Sequence, residues 1–233
     1  MKTLPQNDLP TYTTKLPSTT QDVVYRPMRV KEQRSLMTAQ DSDNKEIYRV
    51  MKLCVDACTF SKLDIENLPN FDVEYLFLQI RIMSIGETMK VDVTCPSCNF
   101  IETKDMPLSK ARIERLDTKQ SMVRLSDNLS LEMRYPSIEE IGLIEDKPDS
   151  DSVFAIVRDC ILKIFSGEEV FDKGDFSDDE LKDWLEDCTD AQFTNLENFI
   201  VNSPYLVSDV ENKCEKCGTE TKYSLKGIRS FFA

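Results

Sequence analysis

Two short stretches of this 233-residue chain share one pattern. Residues 91–104 read VDVTCPSCNFIETK and residues 210–224 read VENKCEKCGTETKYS, so each carries two cysteines separated by two residues. On both sides of each cysteine pair the sequence is typical of extended strands. The pattern predicts two zinc knuckles, in each of which a tight turn points two thiolates at one metal ion.

The two knuckles together offer four ligands, Cys95, Cys98, Cys214 and Cys217. Four thiolates complete a tetrahedral site with Zn–S distances of about 2.3 Å. The chain contains no histidine, so a zinc site here must consist of cysteines. Gly218 follows the second pair, where a positive φ is often needed to turn the chain away from the metal. We therefore expect one structural Zn²⁺ per chain, with no open position for catalysis.

The spacing of the pairs departs from that of a compact zinc ribbon. Residues 99–213, 115 in all, separate them, whereas a compact ribbon has roughly 15–20. The fold must therefore bring the pairs together, and the metal would restrict a long loop of the unfolded chain. Alternatively, each pair acts separately, as a redox dithiol or in a site shared between subunits. The flanking strands disfavour the redox alternative, because redox pairs usually lie at a helix N-terminus.

The acidic residues are concentrated in one segment. Ser137 to Asp190 carries 18 acidic and 5 basic residues, which accounts for the whole net charge of −13. An apolar stripe from Val153 to Phe165 predicts a helix that ends at Gly167, and Ser177 with Glu180 forms a capping box that opens another. A segment of this charge repels a phosphate backbone, so we expect no nucleic-acid partner.

The acidic residues at 172–180 do not predict a calcium site. Regular EF-hand spacing is missing, and Gly174 lies at the wrong position for such a loop. Interaction with the positive end of a helix dipole explains Asp178, Asp179 and Glu180 without a metal. No pair of carboxylates is singled out for hydrolysis, and histidine-dependent catalysis is impossible. The sequence therefore favours a protein that is not an enzyme.

Helices are predicted in the N-terminal half. Apolar residues from Ile47 to Cys58 recur at helical spacing, which predicts an amphipathic helix over residues 44–58. Phe71 to Ser84 is apolar nearly all round, which favours a buried central helix, with a buried strand as the alternative. Residues 122–136 alternate about Ser126-Asp127-Asn128 and predict a hairpin.

The whole pattern predicts an α+β protein: a helical N-terminal core with a split four-cysteine zinc ribbon and an inserted acidic helical lobe. We divide it into residues 1–20, an extended arm; 21–136, the helical core with the first knuckle and β-hairpins; 137–204, the acidic helical insertion; and 205–233, the second knuckle and the C-terminal segment. The prolines of the arm favour extended backbone. The arm is either a solvated tail or a strap that binds a partner.

The remaining cysteines are interpreted as buried thiols. Cys54 and Cys58 have a spacing that would allow a shared metal, but they lie on the apolar stripe of the predicted helix, and Cys160 lies on another. Cys188 ends an acidic helix, and we expect it to be a buried or semi-buried thiol. The chain has no run of 18 apolar residues, and Met1 to Pro10 lacks the apolar core of a secretory signal. We therefore expect no membrane span and a reducing cytoplasm, where disulfides are rare.

Three stretches carry a family resemblance: YRPMRVKEQRSLMTAQDSDNKEIYRVMKLCVDACTF from Tyr25, LPNFDVEYLFLQIRIMSIGE from Leu68, and VDVTCPSCN from Val91. The chain resembles the baseplate hub and hub-assembly proteins of T-even-like contractile-tailed phages. The resemblance covers residues 4–104 well, is weaker through the acidic insertion and is partial at the second knuckle. The role of Cys214 and Cys217 therefore rests on their spacing and not on the family.

The resemblance implies a non-enzymatic morphogenesis protein, with other baseplate and hub proteins or a second copy of the chain as partners. It implies assembly in the host cytoplasm and a final place in the tail baseplate of the virion. Whether such a protein stays in the virion or acts as a transient assembly chaperone is open. The rival from another class is a thiol redox or metal-dependent enzyme.

Overall fold

The structure is a computed structural model, and it describes residues 8–40, 42–115, 121–146 and 150–231. The predictions for residues 1–7 of the arm and for 232–233 at the C-terminus lie outside these residues. Helices and strands alternate irregularly along the described chain, which makes the protein α+β, as the sequence predicts. In the described residues no helix is both long and apolar enough to cross a membrane.

The N-terminal half contains strands β1 (Tyr12–Lys15) and β2 (Asp22–Tyr25), helices α1 (Val30–Ala39), α2 (Asn44–Cys58) and α3 (Asn70–Ile85), and strands β3 (Thr88–Thr94), β4 (Ile101–Pro107) and β5 (Arg112–Glu114). The C-terminal half contains β6 (Met122–Arg124), β7 (Leu129–Met133), α4 (Ile138–Asp146), α5 (Ser150–Cys160), β8 (Ile161–Ser166), β9 (Glu169–Asp172), α6 (Asp178–Glu186), α7 (Asp190–Val201), β10 (Tyr205–Lys213) and β11 (Glu220–Lys226).

The strands form four small antiparallel sheets. Strands β1 and β2 pair with each other, as do β3 and β4. A three-stranded sheet has the order β11-β10-β5, and a four-stranded sheet has the order β6-β7-β8-β9. The β3–β4 and β10–β11 hairpins each carry one cysteine pair at the turn, so the sheet topology provides the two hairpins that the knuckle pattern requires.

Two clusters of buried apolar residues hold the chain together. The first surrounds α3, whose residues Val73, Leu76 and Ile80 have no exposed surface, and it includes residues of α1, α2, β2 and β10. The second lies between the β6–β9 sheet and helices α5, α6 and α7. The helix predicted from the continuous apolar run at 71–84 is confirmed, because α3 is covered on nearly every side by the first cluster.

Helix α4 packs on the first cluster although it lies in the acidic segment. Ile138 is 1% exposed and belongs to the first cluster. Gly142 allows close contact with α2, since a Cβ atom there would lie 2.7 Å from Cδ2 of Tyr48. Lys52 of α2 reinforces the contact through an ion pair with Glu139 at 2.6 Å.

The helix predicted from Val153 to Phe165 is wrong in its second half. Helix α5 ends at Cys160, and the next residues form β8, which pairs with β7 and β9. Opposite Glu132 and Met133 of β7 the register shifts, so that Leu162 is an extra residue in β8. This bulge buries both Ile161 and Ile164, three residues apart. A bulged strand thus has the same apolar spacing as one face of a helix.

The described part of the N-terminal arm is not a solvated tail. It is extended, as expected, but β1 pairs with β2 and Leu16 is 1% exposed in the first cluster. The Ser18 backbone N–H donates to Oδ1 of Asp72 at 3.0 Å, and the Ser18 hydroxyl donates to Oδ2 of the same carboxylate. The arm therefore binds the helical core of its own chain.

Candidate metal centre

The first cysteine pair lies in the turn between β3 and β4. The Cys95 backbone N–H donates to the Phe100 carbonyl at 2.8 Å, and the Asn99 N–H donates to the Cys95 carbonyl at 2.9 Å. Asn99 has a φ of 53°, a left-handed conformation that asparagine adopts more easily than most residues. These bonds close a tight turn that contains both cysteines of the pair.

The second pair lies in the turn between β10 and β11 and repeats this geometry. The Cys214 N–H donates to the Thr219 carbonyl at 2.9 Å, and the Gly218 N–H donates to the Cys214 carbonyl at 2.8 Å. Gly218 has a φ of 75° at the position that Asn99 occupies in the first turn. The expected role of Gly218 in turning the chain is confirmed, because this conformation strains most other residues.

The two turns face each other and bring the four cysteines together. The sulfur atoms of Cys95 and Cys217 lie 3.6 Å apart, as do those of Cys98 and Cys214. All four sulfur atoms lie within 4.8 Å of one another. A tetrahedral zinc ion with Zn–S bonds of about 2.3 Å separates its ligands by about 3.8 Å. The positions and the chemistry of the donor set therefore fit a zinc ion.

Electrostatics within the cluster favour a bound cation. Hydrogen bonding to Thr219, whose Oγ1 lies 3.2 Å from the sulfur, lowers the pKa of Cys217 to about 6. A backbone hydrogen bond from Phe100 also lowers the pKa of Cys98, but burial and the neighbouring sulfur atoms outweigh it and raise this pKa to about 12. Four thiolates this close repel one another, so a divalent cation would stabilise the charged form of all of them.

The side chains around the cysteines join the two hairpins. Glu102, 8% exposed, accepts a hydrogen bond from Nδ2 of Asn212 at 2.7 Å. Lys104 forms ion pairs with Glu102 at 2.9 Å and with Glu215 at 3.1 Å. The contacts to Asn212 and Glu215 cross from β4 to the second hairpin, so they hold the two hairpins together.

A second polar contact joins the hairpins on another side. The hydroxyl of Tyr223 in β11 donates to the Thr94 carbonyl, directly before Cys95, at 2.6 Å. Neither this contact nor the Glu102–Asn212 bond is predicted from the sequence. In β4 the charged Glu102 is buried while its apolar neighbour Ile101 is 61% exposed, so the alternation of apolar and polar residues alone would have placed Glu102 on the solvent side.

Both cysteine pairs are flanked by strands, as predicted. A helix N-terminus, which would lower the thiol pKa in a redox dithiol, is absent from both turns. The geometry therefore resembles a structural metal site more closely than a redox site.

The other four cysteines occupy the places predicted for buried thiols. Cys54, Cys58 and Cys160 are at most 3% exposed, and Cys188 is half-buried. Burial raises the pKa of Cys160 to about 12, which keeps the thiol neutral and unreactive. In the described chain, the side chains grouped closely enough to hold a metal are Cys95, Cys98, Cys214 and Cys217, and the acidic residues at 172–180 form no such group.

Comparison with known proteins identifies the family. The chain is 22% identical over 207 residues to the baseplate hub assembly protein gp26 of Enterobacteria phage T4, and the match covers 89% of this chain and 90% of that protein. No solved structure matches the chain. The family described as T4 bacteriophage base plate protein matches residues 9–233, which includes both cysteine pairs. The chain therefore belongs to the T4 bacteriophage base plate protein family.

Proposed function

We propose that this protein acts in building the hub of a phage tail baseplate, through contacts with other baseplate proteins and without catalysis. Family membership and the hub-assembly role in the name of the T4 relative support this proposal. The observation that carries it is the convergence of four thiols from two cysteine pairs that are separated by 115 residues. Such a site fixes the shape of a protein and offers no position for substrate.

The zinc site is the structural part of this proposal. Cys95, Cys98, Cys214 and Cys217 hold one Zn²⁺, whose charge removes the repulsion between the thiolates. Because the ion joins residues far apart in the chain, it restricts a long loop of the unfolded state and stabilises the folded state. Closure by four thiolates leaves no exchangeable ligand, so the ion fixes the relative position of the two hairpins.

Metal content and thiol accessibility test the zinc site. We expect one zinc atom per chain by elemental mass spectrometry, and four thiols that react with a thiol reagent only after chelation. Replacing Cys95 and Cys214 by serine should remove the zinc and lower the melting temperature. Cys188→Ser is the matched control, because Cys188 lies outside the cluster, and it should retain the metal.

A metal-free wild-type protein that melts at the same temperature as the zinc-loaded protein would contradict the structural role. A reversible disulfide between Cys95 and Cys98 that supports catalytic turnover would instead favour the redox alternative.

A transient assembly chaperone is the second form of this function, and the hub-assembly name of the T4 relative favours it. Host cells infected with phage that lacks this chain should accumulate incomplete hubs, and a plasmid copy should restore them. Quantitative mass spectrometry of purified virions then separates the two forms. A fixed copy number per virion identifies a structural component of the baseplate, and absence from virions identifies a chaperone. Normal hubs without the chain would overturn both.

A further inference from the structure

A cationic site lies at the end of the β11-β10-β5 sheet that is away from the cysteines. Tyr205 begins the central strand β10, Arg115 directly follows β5, and Lys226 ends β11. The Arg115 guanidinium and the Lys226 ammonium each lie 5.5 Å from the centroid of the Tyr205 ring. Neighbouring strands thus bring two positive charges to one aromatic side chain, although like charges repel.

These side chains line a cavity of about 450 Å³. Arg115 is held in place by donating from Nη1 to Oδ1 of Asn202 at 2.6 Å. A guanidinium has five N–H donors, and this bond uses one of them. The cavity also has an apolar wall, formed by Ile141, Ile200, Val201 and Pro204.

Asn70 supplies a polar group that points to a ligand. Its side chain lines the cavity and is 3% exposed, and within the described residues its Oδ1 has no hydrogen-bond partner. A buried acceptor without a donor carries a desolvation penalty, which a ligand N–H would remove. Asn70 is also the first residue of α3, so the positive end of a long helix dipole lies here.

We propose that this cavity binds a carboxylate-bearing segment of an acidic protein partner. Arg115 and Lys226, which approach Tyr205 from the strands on either side of β10, each attract a carboxylate of the segment. Asn70 accepts a hydrogen bond from the backbone N–H of the segment, and the apolar wall contacts an adjacent aliphatic side chain. This site adds a partner of defined chemistry to the proposed function. It involves none of the four cysteines, so it does not depend on the zinc site.

The charges around the cavity favour a carboxylate over a phosphate. Glu74 also lines the cavity, is 2% exposed, and accepts the backbone N–H of Leu206 at 3.1 Å. A buried carboxylate repels a doubly charged anion more strongly than a singly charged one. An inorganic phosphate would also leave the apolar wall uncovered.

The test is a fluorescence-anisotropy titration of the full chain with a fluorescein-labelled, end-blocked peptide of alternating leucine and glutamate, at low salt. We expect saturable binding, and we expect Arg115→Gln or Lys226→Gln to weaken it by about tenfold each, because a charge-assisted hydrogen bond is lost. Lys213→Gln is the matched control, since Lys213 lies on β10 at the opposite end of the sheet, and it should bind as the wild type does. Circular dichroism shows whether each variant is folded.

Three outcomes would overturn the proposal. The first is that the peptide does not bind the wild type. The second is that the Arg115→Gln/Lys226→Gln double variant binds the peptide as tightly as the wild type does. The third is that a peptide with glutamine in place of glutamate binds the wild type as tightly as the original peptide does. The proposal also fails if inorganic phosphate displaces the labelled peptide at a lower concentration than the unlabelled peptide does, because the cavity is then a site for small anions. Because zinc content is measured separately, failure here leaves the proposed metal centre and hub role intact.

Discussion

Arg26 and Glu32 form a buried ion pair at the start of α1. Nη2 of Arg26 lies 3.0 Å from Oε1 of Glu32, and the two side chains are only 6% and 5% exposed. The guanidinium also donates to the carbonyl oxygens of Pro27 at 2.9 Å and Ala57 at 3.0 Å. The pair therefore ties the chain after β2 to the end of α2. Removing one partner would leave the other charge buried without compensation.

Glu32→Gln should lower the free energy of unfolding at pH 7 by about 3 kcal/mol, because it leaves Arg26 buried without its counter-charge. Burial by itself raises the pKa of Glu32, but the hydrogen bonds from Arg26 and from the Arg29 backbone N–H outweigh it and hold the pKa below its ordinary value. The stabilisation is therefore present above the ordinary glutamate pKa of about 4.3 and is lost as the pH falls below it. Urea unfolding at several pH values measures this effect.

The matched control for this prediction is Glu46→Gln. Glu46 also pairs with an arginine, Arg49, at 2.7 Å, but both side chains are solvent-exposed. Water and salt screen this pair, so its loss should change stability little at any pH. An equal effect of the two substitutions, or a Glu32→Gln effect that grows as the pH falls, would contradict the role assigned to the buried pair.

At the level of the elements, the β1–β2 ribbon fixes the arm to the helical core. Leu16 directly follows β1 and is buried in the first cluster, and the Thr14 and Tyr75 hydroxyls lie 3.2 Å apart between the ribbon and α3. A two-stranded ribbon alone is marginally stable in water. Its attachment therefore depends on the few side chains that reach the core.

Leu16→Ala should lower the free energy of unfolding by about 3 kcal/mol, because it removes a fully buried side chain and leaves a cavity. The amide hydrogens of β1 should then exchange faster with solvent, as measured by hydrogen–deuterium exchange mass spectrometry. Lys15→Ala, the neighbouring exposed residue, is the control and should change neither quantity much. Unchanged exchange in Leu16→Ala would show that the ribbon does not depend on this contact.

Across the whole molecule, the two buried clusters suggest two folding units. The second cluster draws on β6 and β7 as well as on residues after 137, whereas α4 packs on the first. We therefore propose that the unit inserted between the knuckles comprises β6–β9 and α5–α7. The seam between the clusters contains Tyr135, whose ring lies 5.4 Å from that of Phe71 and 5.1 Å from that of Phe199.

When a chelator has removed the metal, urea should unfold the two clusters in separate transitions. Trp184, the single tryptophan of the chain, packs against the second cluster, so its fluorescence reports on that unit alone. In chelator, we expect far-UV circular dichroism to decrease at a lower urea concentration than the one that changes Trp184 fluorescence, because the proposed metal stabilises the first unit.

The control is Leu185→Ala, which removes a side chain that is 1% exposed in the second cluster. It should lower the free energy of the unfolding transition seen by Trp184 fluorescence by about 3 kcal/mol. The first transition seen by far-UV circular dichroism should stay at the same urea concentration. Coincident transitions in chelator would contradict two separate units.

Elements of the fold could be predicted from the sequence where the spacing of apolar residues and the capping or turn residues indicate the same element. Helix α2 is predicted correctly because its stripe runs from Ile47 to Cys58 and Asp43 caps it, accepting the Glu46 N–H at 2.9 Å. The capping box of Ser177 and Glu180 is confirmed in the same way. Strand β8 is predicted incorrectly, because its bulge is set by pairing with β7, and pairing between distant segments leaves no local signal.

By itself, the sequence determined the chemistry of the candidate site. Each cysteine pair lies between two strand-like segments, which predicts a metal-binding turn. Because the chain contains no histidine, any zinc site is restricted to four thiolates. Only the tertiary structure decided that the pairs meet, that Glu102 and Asn212 join the hairpins, and that Arg115 and Lys226 share one ring. The physical reason is that turn geometry and ligand type depend on neighbouring residues, whereas contacts across many residues depend on how the two clusters pack.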